Sequence, residues 1–91
     1  MAPVINEPKK GYLPSPLDIG ETLNETCTAK GNPTPNVTWT KNSTGEIVAS
    51  SQSNSQRLVI MSMKEDDFGV YDCTASNKLQ STMVSIQVKK G

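Results

Sequence analysis

Asp67-Phe68-Gly69-Val70-Tyr71-Asp72-Cys73, followed by Thr74-Ala75-Ser76, sets Tyr71, Cys73 and Ala75 on one side of an extended chain, because side chains alternate faces along a strand. The same period of two pairs Leu23 with Cys27, Val37 with Trp39 and Leu58 with Ile60. These are the expected inward faces. No window carries apolar residues at helical spacing, whereas short alternating stretches recur between clusters of Gly, Pro, Asn and Ser. The stretches read as strands are Val4 to Asn6, Leu17 to Ile19, Thr22 to Ala29, Asn36 to Lys41, Glu46 to Ala49, Arg57 to Met61, Gly69 to Ser76 and Met83 to Lys89. Turn signals separate them at Gly31 to Pro35, at Asn42 to Gly45, along the polar run Ser50 to Gln56, and at Glu65-Asp66-Asp67. The pattern predicts an all-β sandwich of two sheets.

Ninety-one residues make one small domain, and 1–91 is read as a single unit. A chain this short buries a modest share of its surface and needs a staple. Its two cysteines are read as a structural disulfide, which points to an oxidising compartment. Nine basic residues balance nine acidic ones, so no field recruits nucleic acid or an anionic membrane. The longest apolar runs, such as Leu58 to Met61, are far too short to span a bilayer. Met1 precedes a proline-rich start without the apolar core of a signal peptide, and is read as an expression start on a domain cut from a longer protein.

The series Cys27, Trp39, then Asp67-x-Gly69-x-Tyr71-x-Cys73 resembles the signature of immunoglobulin domains, and the resemblance spans nearly the whole chain. Gly20-Glu21, Gly31-Asn32-Pro33-Thr34-Pro35, Leu58-x-Ile60 and Ala75-Ser76-Asn77 resemble the intermediate (I-set) branch. The resemblance implies a Greek-key β-sandwich of two antiparallel sheets joined by one disulfide, Cys27 to Cys73, with Trp39 packed against it. It also implies that Tyr71 forms a tyrosine corner, Asp67 braces the turn before it, and Gly69 permits a tight backbone. All six residues then hold the fold and touch no ligand. A reactive role for the cysteines is the alternative, disfavoured because the sequence has no CxxC and no histidine.

Two positions depart from the family pattern. Glu25 stands where an aliphatic inward residue is usual. One account gives it a bulge or a sandwich end from which it reaches water or a lysine; the other leaves a buried carboxylate with a raised pKa, bonded to a core hydroxyl. At the last hairpin, Asn77-Lys78-Leu79-Gln80 has glutamine where glycine is frequent, which predicts a wider turn with Leu79 exposed at its tip.

Three sequons occur, Asn24-Glu25-Thr26, Asn36-Val37-Thr38 and Asn42-Ser43-Thr44, whereas Asn32-Pro33-Thr34 is excluded by its proline. Alternation turns Asn24 and Asn36 outward on opposite sheets, and Asn42 falls in a turn. With the cysteine pair they predict an extracellular or cell-surface glycoprotein.

Catalytic chemistry lacks an inventory: there is no histidine, no phosphate-binding glycine loop and no carboxylate pair beside a nucleophile. No cofactor is expected. Glu65-Asp66-Asp67 is better placed as a solvated turn than as a calcium site. Lys9-Lys10 and Lys89-Lys90 are short basic pairs at solvated ends. The resemblance therefore implies a non-catalytic adhesion or receptor module whose partners are other proteins, homophilic or heterophilic, and neighbouring domains. A spacer in a tandem array and an intracellular sarcomeric domain are the alternatives.

Overall fold

The alternating stretches form strands in the computed structural model, which describes residues 2–50 and 52–91. The expectations attached to Met1 and Ser51 lie outside the described residues. The strands are β1 (Val4–Glu7), β2 (Leu23–Lys30), β3 (Asn36–Lys41), β4 (Ile47–Ser50), β5 (Ser55–Ile60), β6 (Gly69–Ser76) and β7 (Ser81–Val88). One antiparallel sheet has the order β1-β2-β5 and the other β4-β3-β6-β7. Strands adjacent in sequence thus change sheet between β2 and β3, between β4 and β5 and between β5 and β6, giving the two-sheet sandwich that the alternation and the resemblance predicted.

Both inner faces come from the period of two. Leu23, Cys27 and Ala29 of β2 and Leu58 of β5 meet Val37, Trp39, Tyr71, Cys73, Ala75, Ile86 and Val88 from the other sheet, all essentially without solvent contact. Cys27 and Cys73 are bonded through this core with their Cα atoms 6.5 Å apart. Trp39 lies beside Cys73 in the β3–β6 register, and its indole Nε1 donates to the carbonyl of Gln56 on β5 at 3.0 Å. A buried indole N–H left without an acceptor would be costly, so this bond both satisfies Trp39 and ties the two sheets together a second time.

Most strand ends differ from the sequence reading by one residue, and three differences are larger or have identifiable reasons. Leu17 to Ile19 does not form a strand. Leu17 makes one parallel bridge to Lys90, in which its N–H donates to the carbonyl of Lys89 and its carbonyl accepts from Gly91. Pro14 and Pro16 just before it have no N–H to extend a ladder, and Gly20 turns the chain away at φ 93°. The fifth strand begins at Ser55 and not at Arg57, because β5 pairs along β2 from Leu23 with Ile60 to Thr28 with Ser55. The last strand begins at Ser81, because Ser76 and Ser81 face each other directly. Met63, after β5, is fully buried; its N–H and carbonyl bond to Glu21 and Gly20, a non-local placement that no periodicity announces.

The approach to β6 is a single turn of 3-10 helix, Glu65–Asp67. Asp67 Oδ2 accepts from the backbone N–H of Lys64 at 2.9 Å, and the Tyr71 hydroxyl donates to the carbonyl of Asp67 at 2.6 Å. Gly69 follows with φ 134° and open space where a Cβ would stand, so a side chain there would meet backbone strain and not a clash. Removing the hydroxyl by Tyr71→Phe is expected to lower unfolding free energy by about 1–2 kcal/mol, since one half-buried carbonyl loses its donor. Urea denaturation checks this. Gly69→Ala is expected to cost about 1–2 kcal/mol for the backbone conformation alone, with the same strands retained by circular dichroism.

Candidate functional site

Residues whose side chains leave the core define what another molecule can meet. On the outer face of the four-stranded sheet, the cross-strand pairs of β3 and β6 are Asn36 with Ser76, Thr38 with Thr74 and Thr40 with Asp72. Ile47, on the edge strand β4, walls this face and is 64% exposed. Between them runs an open groove of about 640 Å³. Thr38 and Ser50 hydroxyls lie 3.3 Å apart across β3 and β4. The floor of the groove is rich in hydroxyl groups, with Lys78 at its end and exposed Met83 of β7 beside Thr74 on the same face.

Beside the groove lies a polar cluster that the sequence did not announce. Asp72 is buried on the outer face of β6, where its Oδ2 accepts from the Asn42 side-chain amide at 2.9 Å and its Oδ1 from the Ser85 hydroxyl at 2.5 Å. A carboxylate this enclosed needs such donors. Asn42 is therefore more than a turn residue with a sequon: its amide nitrogen is committed to Asp72. No local pattern signals this, because Asn42, Asp72 and Ser85 meet only after three strands pair. Asn42→Ala is expected to destabilise the fold by about 1–2 kcal/mol by leaving Asp72 with one donor fewer, measured as a lowered urea midpoint; a surface asparagine without that bond would be neutral.

The β6–β7 hairpin is a four-residue loop, Asn77 to Gln80, closed by hydrogen bonds to Asn77. Its Oδ1 accepts from the N–H groups of Leu79 and Gln80 at 2.9 and 3.0 Å, and its own N–H donates to the Gln80 carbonyl at 3.0 Å. No residue there needs a positive φ. Leu79 stands 65% exposed at the tip.

On the opposite sheet, Glu25 has neither the bulge nor the lysine that one account supplied, nor the core hydroxyl of the other. The β2–β5 register is continuous through Glu25, which pairs with Leu58; the irregularity is in β1, between Ile5 and Glu7. Glu25 points inward but is only half-buried, because β1 ends at Glu7 and the connection toward Leu17 leaves crevices on either side. Tyr12, on that connection, donates to Glu25 Oε2 at 3.4 Å. Desolvation raises the Glu25 pKa above its ordinary 4.5, and the Tyr12 hydrogen bond opposes part of that rise. A carboxyl that holds its proton more tightly when folded favours the folded state at low pH, and that contribution is lost as pH rises from the unfolded value through the folded one. Glu25→Gln is expected to flatten the fall of stability above pH 4.5, as followed by urea midpoints across the carboxylate range.

The remaining expected positions are dispersed. Cys27, Trp39, Tyr71 and Cys73 are inaccessible, and Asp67 and Gly69 sit at the turn entering β6. The sequon residues Asn24, Asn36 and Asn42 are all exposed, on the first sheet, the second sheet and the β3–β4 turn respectively. Glu65 pairs with Lys90 at 3.0 Å on the surface. Among the described residues no group of three or more His, Cys, Asp or Glu side chains is placed to hold a metal ion, and no helix is long and apolar enough to cross a membrane.

A disulfide through the core, an indole beside it and a tyrosine bonded back to the turn that precedes its strand together define a two-sheet sandwich of the immunoglobulin type. The sequence profile of the immunoglobulin domain matches residues 2–77, and the chain belongs to the immunoglobulin superfamily. It is 39% identical to mouse vascular endothelial growth factor receptor 2 over 64 residues, which is 67% of this chain and 5% of the receptor. It is 37% identical over 71 residues to the cell adhesion molecule-related/down-regulated by oncogenes protein of Xenopus laevis, covering 76% of this chain and 6% of that protein. Among solved structures, titin domain M7 superposes with a TM-score of 0.77 at 24% identity, covering 99% of this chain and 94% of that domain; this likeness is one of fold. The chain thus spans a small fraction of the curated relatives it matches.

Proposed function

We propose that residues 1–91 are one I-set domain of a cell-surface adhesion molecule or receptor, extracellular and non-catalytic, which contacts other proteins and its neighbouring domains. The observation that carries this reading is that the sequon residues Asn24 and Asn36 are exposed on opposite sheets of a fold whose two cysteines are bonded to each other. Exposed acceptors and a closed disulfide belong together in the secretory pathway. Receptors and adhesion molecules among the relatives support the same class.

Contact through loops and edges follows from the distribution of surface groups. The exposed apolar side chains Leu79, on the β6–β7 loop, and Val48, on the edge strand β4, project away from the core. Recognition through them rests on shape and hydrogen bonding.

A second reading, an intracellular sarcomeric domain, draws on the likeness to titin domain M7. Compartment separates the two. Protein from its native source is expected to lose mass on enzymatic removal of N-glycans and to hold no free thiol. An unchanged mass together with two titratable thiols would support the muscle reading.

A further inference from the structure

The outer face of β3 and β6 combines a floor, a wall and an attachment point. Asn36, Thr38 and Thr40 follow one another on the same side of β3, about 6.6 Å apart at two residues each, and Thr74 and Ser76 stand opposite on β6. Ile47 forms the wall of the groove, and among the described residues Lys78 is the charged group in its lining. Threonine presents a methyl group and a hydroxyl side by side, and the hydroxyl both donates and accepts.

That chemistry selects among occupants. An apolar protein surface laid here would strip the threonine hydroxyls of water without replacing their hydrogen bonds. A charged segment would find one lysine and no acidic counterpart. An added β-strand has no place on this face, because the backbone groups of β3 and β6 are used in pairing with their neighbours. A pyranose ring matches on both counts: its hydroxyls exchange hydrogen bonds with threonine and serine, and its C–H face covers threonine methyls and Ile47.

One acceptor for such a sugar is in the groove wall itself. Asn36 heads the sequon Asn36-Val37-Thr38, is exposed and lines the groove. The Asn42 amide is held by Asp72, and Asn24 lies on the other sheet, opposite Val59. We propose that the groove along Thr38, Thr40, Thr74 and Ser76 seats the first sugars of an N-glycan on Asn36. The β3–β6 face is then covered by the chain's own modification, and protein partners are directed to the loops and edges. This rests on the extracellular reading above.

The test uses the chain secreted from glycosylating animal cells, with Asn36→Gln as the form lacking sugar at that site. Peptide mass mapping first reports occupancy. An unoccupied Asn36 overturns the proposal together with the extracellular reading of that sequon. With Asn36 occupied, nuclear Overhauser contacts are expected between the first two sugars and the methyl groups of Thr74 and Thr40. The glycosylated chain is expected to melt about 3 °C above Asn36→Gln, a shift within reach of a fraction of a kilocalorie in a domain of this size. Thr38 is part of the sequon and is left intact; the pair Thr40→Ala and Thr74→Ala is made in both backgrounds instead. In that pair the difference between glycosylated and Asn36→Gln forms is expected to vanish, because the coupling belongs to the contact and not to either change alone. An occupied Asn36 with no sugar-to-threonine contacts and an unaltered melting difference overturns the seating while leaving the extracellular reading in place.

Discussion

The Cys27–Cys73 bond holds two sheets face to face across an interior filled mainly by Trp39, Tyr71 and aliphatic side chains, and the remaining structure depends on that closure. Each sheet alone has one apolar face and would be unstable in water. The bond restricts the unfolded chain across a sequence separation of 46 residues, which on the chain-entropy treatment favours folding by about 4 kcal/mol. For a domain of this length that is comparable with the whole net stability. Trp39 adds a second constraint, since its Nε1 donates across the sandwich to Gln56 and fixes how β3 sits over β5.

Much of this architecture was legible because it is encoded by residues whose spacing alone reveals their face. Cys27, Trp39, Tyr71 and Cys73 occupy the inward positions that a period of two dictates, and the strands bearing them were readable to within two residues. Leu17 to Ile19 was misread because β-type residues there suggest a strand, while the prolines at 14 and 16 permit only an isolated bridge. Met63, and the cluster of Asn42, Asp72 and Ser85, were illegible for another reason. Their environment is assembled by segments far apart in sequence, and Asp72 in particular sits on the outward face of its strand, where alternation predicts exposure.

Buried polar groups sharpen the distinction between what holds the fold and what faces a partner. Asp72 is enclosed and receives two side-chain donors, so it specifies how the β3–β4 turn and β7 pack on β6. Glu25 is inward yet half-solvated, because the connection after β1 leaves room around it. Tyr12 lies on that connection and is the hydrogen-bond donor facing the carboxylate. The surface includes a hydroxyl-rich sheet face and exposed apolar side chains, among them Val48 on β4 and Leu79 on the β6–β7 loop. Recognition in this domain is thereby separated from the core that identifies its family.

The claim that one covalent cross-link through the core underlies this arrangement is tested most directly by urea unfolding of the double variant Cys27→Ala, Cys73→Ala beside the oxidised native chain. The account predicts a loss of about 4 kcal/mol in unfolding free energy. An unfolding free energy equal to that of the native chain would contradict it, and would mean that the packing of Trp39 and its neighbours holds the two sheets together without the bond.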